Sequence, residues 1–213
     1  MHAEPASNCQ LCLRLAAMRQ TNRQAQPDWF NRPVPSFGDP KARLLIVGLA
    51  PGLQGANRTG RPFTGDYAGD LLYATLATHG FSQGQYAANP QDGLRLKDCM
   101  ITNSVRCVPP QNKPETLEIT NCRKYLEATI SMMPEVKIIL ALGKIAHDST
   151  AIVFGLRPSK TKFAHGARHE LPDGRILTDS YHCSRYNTNT RRLTPEMFNA
   201  VLEDIRKNLN KSP

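Results

Sequence analysis

Residues 44–66 read LLIVGLAPGLQGANRTGRPFTGD, and this stretch sets the frame for the rest of the chain. Leu44, Leu45, Ile46 and Val47 form an apolar, partly β-branched run of the kind found in strands buried on both faces. Gly48, Pro51, Gly52 and Gly55 then break it, and Asn57, Arg58, Arg61 and Asp66 put charge and amide groups on the loop, with Phe63 its one aromatic. In α/β folds, a strand emptying into a glycine-rich loop before a helix brings backbone N–H groups close to a phosphate or an anionic leaving group. Neither stock glycine motif is present: there is no G-x-x-x-x-G-K-S/T and no G-x-G-x-x-G tight to the strand end. Taken alone, the loop is either a functional site or an elaborate turn.

At 213 residues the chain suits one domain, 1–213, with a full core. Lys and Arg number 27 against 18 Asp and Glu, a net charge of +9, for which a polyanionic partner and a solvated basic surface are the two accounts. The first twenty residues lack the apolar core of a signal peptide, and nowhere do about 18 apolar residues run together. The expectation is a cytoplasmic protein with no membrane segment. Its six cysteines should then be reduced, so any that act together are metal or cluster ligands rather than disulfides.

Cys9 and Cys12 form C-x2-C at the head of a short helix expected through Met18, followed by an irregular segment, 20–42, pinned by Trp29 and Phe30. Beyond the glycine loop, Leu71, Leu72 and Leu76 predict a helix over 68–79 with Gly80 as its cap, and 82–95 reads as a polar connection. A second strand is expected over 98–105, a proline-stiffened loop over 109–114, and a helix over 115–132. A third strand, 136–142, breaks at Gly143 into a helix to about residue 154. A basic loop and hairpin lead to a fourth strand, 175–181, which delivers His182 at its carboxyl end; a helix over 195–210 closes the chain, with Thr194 as N-cap.

Four apolar strands alternating with helices predict a three-layer α/β/α sandwich around a mainly parallel four-stranded sheet. Ligands gather outside the strand carboxyl ends of such sheets. That rule puts the Gly48 loop, Asn103, the Gly143 turn and His182 on one rim.

Two constellations remain. Cys9, Cys12, Cys107 and Cys122 supply four thiolates, but their spacing matches neither paired zinc motifs nor the compact ferredoxin run, leaving zinc, an iron-sulfur cluster and unlinked cysteines all open. Residues 180–192, SYHCSRYNTNTRR, surround a strand-end histidine with Ser, Arg, Asn and Thr, a composition suited to phosphates, with Tyr186 able to stack or wedge.

GLAPG at 48–52, NRTGRPFTGD at 57–66, ITN at 101–103, RCVPPQNKP at 106–114 and SYHCSRYNTNTRRLT at 180–194 together resemble the uracil-DNA glycosylase superfamily, and within it family 5, the type B iron-sulfur enzymes. The resemblance runs from Cys9 to the terminal helix. It implies a 4Fe-4S cluster on Cys9, Cys12, Cys107 and Cys122, structural rather than redox-active. It further implies excision of uracil, and of hypoxanthine and xanthine, from double-stranded DNA after the nucleotide is flipped out of the stack. Phe63 would stack on the base and Asn103 read its O4 and N3 edge. His182 would hydrogen-bond O2 of the departing anion, with help from backbone amides around Ala50 to Gly52, a task of the oxyanion-hole kind, and Gly48, Ala50, Pro51 and Gly52 would line the substrate site. Asn187 would help place the His182 loop. Arg58, Arg61, Ser184, Arg185, Tyr186 and Arg191 would meet the DNA.

Many superfamily members carry an acidic or amide side chain in the first glycine motif to position water, where this chain has Leu49 and Ala50. Family 5 shares that absence, and the resemblance points to Asp66 and Asn112 as replacements, although Asp66 also suits a helix cap. Cys183 stands where proline is common. Apart from Lys113 in the proline-stiffened loop, no lysine sits in these motifs, so a monofunctional enzyme is expected, acting as a monomer. The rival readings are a non-catalytic zinc- and nucleic-acid-binding module and a nucleotide-binding hydrolase; the latter lacks the lysine and paired acids that phosphate and Mg2+ require.

Overall fold

The computed structural model describes residues 4–211. In chain order the elements are α1 (Leu13–Ala25), β1 (Phe37–Gly38), β2 (Leu44–Gly48), α2 (Ala56–Thr59), α3 (Tyr67–Thr78), β3 (Ser82–Gln83), β4 (Arg95–Leu96) and β5 (Cys99–Asn103). A 3-10 turn (Pro110–Asn112) follows, then α4 (Thr116–Ser131), β6 (Ile138–Leu142), α5 (Lys144–Val153), β7 (Arg168–Glu170), β8 (Ile176–Ser180), α6 (Arg185–Asn189) and α7 (Pro195–Lys211).

The main sheet is ordered β1-β5-β2-β6-β8-β7. The four expected apolar strands are its parallel centre, while β1 and β7 add short antiparallel edges. The sheet is therefore six-stranded rather than four, and the hairpin expected before the fourth strand is the β7–β8 pair. A separate two-stranded ribbon, β3–β4, lies in what reads in sequence as a featureless connection.

Alternation along the central strands sorts their side chains into two cores. Leu44, Ile46, Ile101 and Leu140 face a layer made by α3 and α7, in contact with Leu72, Leu76, Phe198 and Leu202. Leu45, Val47, Ile139 and Ala141 face the other way, toward Leu126 and Ile130 of α4 and Ala146 of α5. The helix after β2 thus covers one face and the helix after β6 the other. Loops leaving adjacent strands in opposite directions open a crevice at the carboxyl edge, the topological switch point of open α/β sheets.

Helix α1 runs to Ala25, well past the expected end at Met18. It buries Leu15, Arg19 and Asn22, an i, i+4, i+7 face that is two-thirds polar. Among the described residues, no helix is long and apolar enough to cross a membrane.

Candidate active site

Strand register builds the crevice wall. Gly48 and Asn103 are paired across β2 and β5, and Leu142 and Ser180 across β6 and β8, so the four strand ends stop level with one another. The pairing continues into the loops: Ser104 N donates to Gly48 O (2.9 Å), and Gly143 N to Ser180 O (2.8 Å). A cavity of about 700 Å3 opens there. It is lined by Ala50, Pro51, Gly52, Phe63, Asp66, Asn103, Asn112, His182, Ser184, Arg185, Tyr186 and Asn187, which brings together twelve of the residues the sequence singles out.

Gly48 stands behind this wall. A Cβ there would overlap the Asn103 carboxamide oxygen and the edge of the Phe63 ring, so only glycine lets both side chains stand against the strand end. Phe63 is 6% exposed and holds a left-handed backbone at φ 52°. Its ring lies 5.7 Å from that of His182, inclined by 28°. The Asn103 side-chain oxygen is buried without a hydrogen-bond partner, an acceptor facing the same small space.

His182 leaves β8 with part of its surface open to the cavity, yet packed deeply enough that burial lowers its pKa to about 4. The ring is therefore neutral at physiological pH and carries one N–H. Asn187 Nδ2 donates to the His182 carbonyl (2.8 Å), and Ser184 Oγ caps α6 by accepting from Asn187 N (3.4 Å), fixing the turn after the histidine. Asp66 does two things at once. Its side chain caps α3 by accepting from Gly69 N (3.1 Å), while the other carboxylate oxygen leans against Gly52 and Gly55 at the cavity wall. Burial raises its pKa above the usual carboxylate value, opposed by the backbone N–H of Gly69. Asn112 reaches the cavity from a left-handed position (φ 56°) at the end of the proline-stiffened turn.

Arg58 and Arg191 are exposed but do not line the cavity. Arg61 is a correction. It is 4% exposed, forms a bidentate pair with Asp92 (2.8 and 2.7 Å) and lies under aromatic rings, so it is an interior residue and not a DNA contact. Tyr67 and Lys144, which the sequence motifs do not include, also line the cavity. Lys144 follows the Gly143 break directly, a placement readable from the strand end, and its Nζ is paired with Asp148 Oδ2 at 2.6 Å.

Cys9, Cys12, Cys107 and Cys122 line a second, small hollow between the N-terminal segment and α4. Three N–H groups point at the sulfurs: Arg19 Nη1 donates to Cys107 (3.4 Å), Arg106 N to Cys122 (3.3 Å) and Asn121 Nδ2 to Cys12 (3.7 Å). Four soft donors with cationic and amide support fit a thiolate-bound metal centre. Cys99 and Cys183 stand apart in the apolar core. The one group among the described residues whose ligand atoms all lie within 4.8 Å of one another is His147, His169 and Asp179. There His147 Nδ1 stands 2.8 Å from Asp179 and Nε2 stands 2.7 Å from the Thr161 carbonyl, so both ring nitrogens face acceptors. Burial opposes charge on this ring, but those partners outweigh it and raise its pKa.

A glycine-broken strand end, an aromatic ring, a partnerless amide oxygen and a neutral histidine thus share one crevice at the carboxyl edge of an open α/β sheet. The chain belongs to the uracil DNA glycosylase superfamily, whose family model matches residues 35–206. It is 48% identical over 205 residues to a type-5 uracil-DNA glycosylase of Thermus thermophilus, covering 93% of each chain. It is 41% identical to a type-5 uracil-DNA glycosylase of Mycobacterium leprae, covering 94% of this chain and 91% of that one. A type-4 uracil-DNA glycosylase of Sulfurisphaera tokodaii is 34% identical, covering 80% of this chain and 73% of its own.

Proposed function

We propose that this protein is a monofunctional uracil-DNA glycosylase of base excision repair that hydrolyses the N-glycosidic bond of a flipped-out deaminated base in double-stranded DNA. The observation that carries the reading is the meeting of neutral His182, the Phe63 ring and the partnerless Asn103 oxygen behind Gly48. Bond cleavage leaves an oxocarbenium-like sugar and a base anion. A neutral imidazole donates its N–H to O2 as that charge grows, and preorganised donors of this kind contribute roughly 3–4 kcal/mol each. Phe63 stacks on the ring face, and Asn103 offers its amide to the O4 and N3 edge. Asp66 and Asn112 hold the attacking water, in place of a side chain from the first glycine motif. Ala50 and Leu49 leave that side of a roomy cavity open, which supports hypoxanthine and xanthine as further substrates.

The cysteine hollow is read as the seat of a 4Fe-4S cluster, held by Cys9, Cys12, Cys107 and Cys122. The motifs that resemble the iron-sulfur type of the family favour a cluster over a single zinc ion on these four residues. When bound, the cluster would crosslink the segment before α1 to the turn after β5 and to α4. Arg58, Ser184, Arg185, Tyr186 and Arg191 are assigned to DNA, and the protein is assigned to the cytoplasm as a monomeric, single-domain enzyme.

Base release from a duplex with one uracil opposite guanine tests the reading. Wild-type protein should leave alkali-labile sites, and His182→Ala should lower the single-turnover rate about 10^2- to 10^3-fold. Strand incision without alkali would instead implicate Lys144 in lyase chemistry. A colourless, zinc-loaded protein that binds the duplex and releases nothing would favour the non-catalytic module.

A further inference from the structure

The Phe63 shelf is held from outside the cavity by a segment that looks in sequence like a plain polar connection. Phe63 sits at φ 52°, a backbone region that side chains rarely adopt and that the surroundings must enforce. Three contacts converge on the turn that carries it. Tyr73 Oη donates to Pro62 O at 2.7 Å. The Tyr86 hydroxyl lies 3.3 Å from Phe63 O, to which it donates, and accepts from Gly65 N at 3.2 Å, so one group ties both sides of Phe63. Arg61, two residues before Phe63, donates through Nε to Thr64 Oγ1 at 2.7 Å and through both terminal nitrogens to Asp92. The Arg61 and Asp92 side chains are 5% and 2% exposed. Asp92 is itself fixed by the backbone N–H groups of Ala87 and Leu94, each at 3.0 Å.

The packing closes around the same point. The Arg61 guanidinium lies 5.3 to 5.7 Å from the ring centres of Phe37, Tyr73 and Tyr86, and Tyr73 stacks on Tyr86 at 4.6 Å. Gly69, in the first turn of α3, has no room for a Cβ because the Phe63 carbonyl occupies it. Neither Tyr86 nor Asp92 lines the cavity. A turn braced this heavily on its outer side presents its inner side, the Phe63 ring, at a fixed height above the strand ends.

We infer that Tyr86 and Asp92 are positioning residues for base excision, acting through Phe63: they set the aromatic shelf on which the flipped base stacks. The inference rests on the glycosylase reading of the same cavity. Because a catalytic geometry tolerates little displacement, loosening the shelf should slow the reaction while leaving duplex binding untouched.

The test is a cycle of Tyr86→Phe, Phe63→Ala and the double variant, in full-length protein purified with its bound iron. Tyr86→Phe keeps the stacked ring and removes only the hydroxyl. Excision of uracil in single turnover should fall about tenfold. Affinity for the abasic product duplex and iron content should be unchanged, while the melting temperature should fall by a few degrees because Phe63 O and Gly65 N lose their partner. In the Phe63→Ala background the same change should have no further effect, since a residue acting through the shelf is silent once the shelf is gone. A wild-type rate for Tyr86→Phe, or losses that multiply in the double variant, would overturn the inference. Asp92→Asn, which keeps the shape and removes the charge, should give a larger loss of rate together with a lower melting temperature, because it leaves the enclosed Arg61 guanidinium without its counter-charge. A wild-type protein that releases no uracil at all would overturn the glycosylase reading itself, before any variant is compared.

Discussion

The molecule carries two clusters of chemically active side chains, and they are assembled in different ways. The base cavity is built on strand ends: Gly48, Asn103 and His182 inherit their positions from the register of a parallel sheet whose central strands are fully buried. The cysteine hollow is built on connections. Cys9 and Cys12 precede α1, Cys107 lies in the turn after β5, and only Cys122 is in the body of a helix. Among the described residues, the buried apolar group around those sulfurs is Leu15, Val105 and Cys122, against twenty-one residues in the cluster that backs the cavity. A site on strand ends is held by the core. A site on connections is held by what it binds.

Removing one cysteine ligand should break that comparison most visibly. Cys107→Ala takes out a sulfur that Arg19 supports, and burial pushes the remaining Cys122 thiol up to about 11, so Cys122 needs a bound metal to stand as a thiolate. We expect loss of bound iron and of absorbance near ~400 nm. The melting temperature should drop by about 10 °C. Far-UV circular dichroism should still report the sheet, and residual base release should persist in proportion to folded protein. Unchanged melting after iron is lost would mean that the hollow is braced by its own packing.

The second test is pH, and it sharpens the cavity side. An ordinary histidine titrates near 6.5, whereas burial puts His182 at about 4, so the rate should show no inflection near 6.5 from this residue. Asp66 is shifted the other way. Its carboxylate is needed charged, burial raises its pKa, and activity is therefore lost as pH falls through that raised value. A single-turnover profile should place the acid limb on Asp66, and Asp66→Asn should react slowly without that limb. Stability moves in opposite directions with pH at the two buried histidines. Between about 4 and 6.5 the unfolded chain takes up a proton that His182 refuses, so acid destabilises the fold there. His147, whose pKa is raised by Asp179, contributes stability at low pH that is lost as pH rises through its folded value.

The contrast between strand ends and connections also explains what could be read from the sequence. The four central strands and the rim they form are legible because a doubly buried strand is an uninterrupted apolar run, as in residues 44–47 and 138–142. The edge strand β1 is not, since two residues carry no period, and β7 shows in sequence only as part of an expected hairpin. Helix α1 is legible only as far as Met18, because beyond it the buried face is Arg19 and Asn22, whose value lies in hydrogen bonds rather than hydropathy. Phe63, Asn103 and His182 follow from fold logic plus resemblance. The bracing of Phe63 by Tyr86 and Asp92 follows from neither, because its partners are 23 and 31 residues apart and joined only in space.

The smallest expected effect separates two arginines of one motif. Arg58 and Arg61 are three residues apart and look alike in sequence, yet Arg58 is exposed, with its Nε held by Gln54 O at 2.8 Å, while Arg61 is enclosed with Asp92. A surface arginine that meets a phosphate displaces about one condensed counterion, so Arg58→Ala should weaken duplex binding a few-fold and reduce the salt slope by about 1. Arg185, whose guanidinium lies 5.3 Å from the Tyr67 ring at the cavity mouth, should behave likewise. Arg61→Lys should do the opposite on both counts. It keeps the charge but loses the bidentate geometry, so the salt slope should stay as in wild type while the melting temperature falls. A salt slope that changes with Arg61 rather than with Arg58 would mean that this turn opens on DNA, and that the cavity rim is less fixed by the core than its strand ends imply.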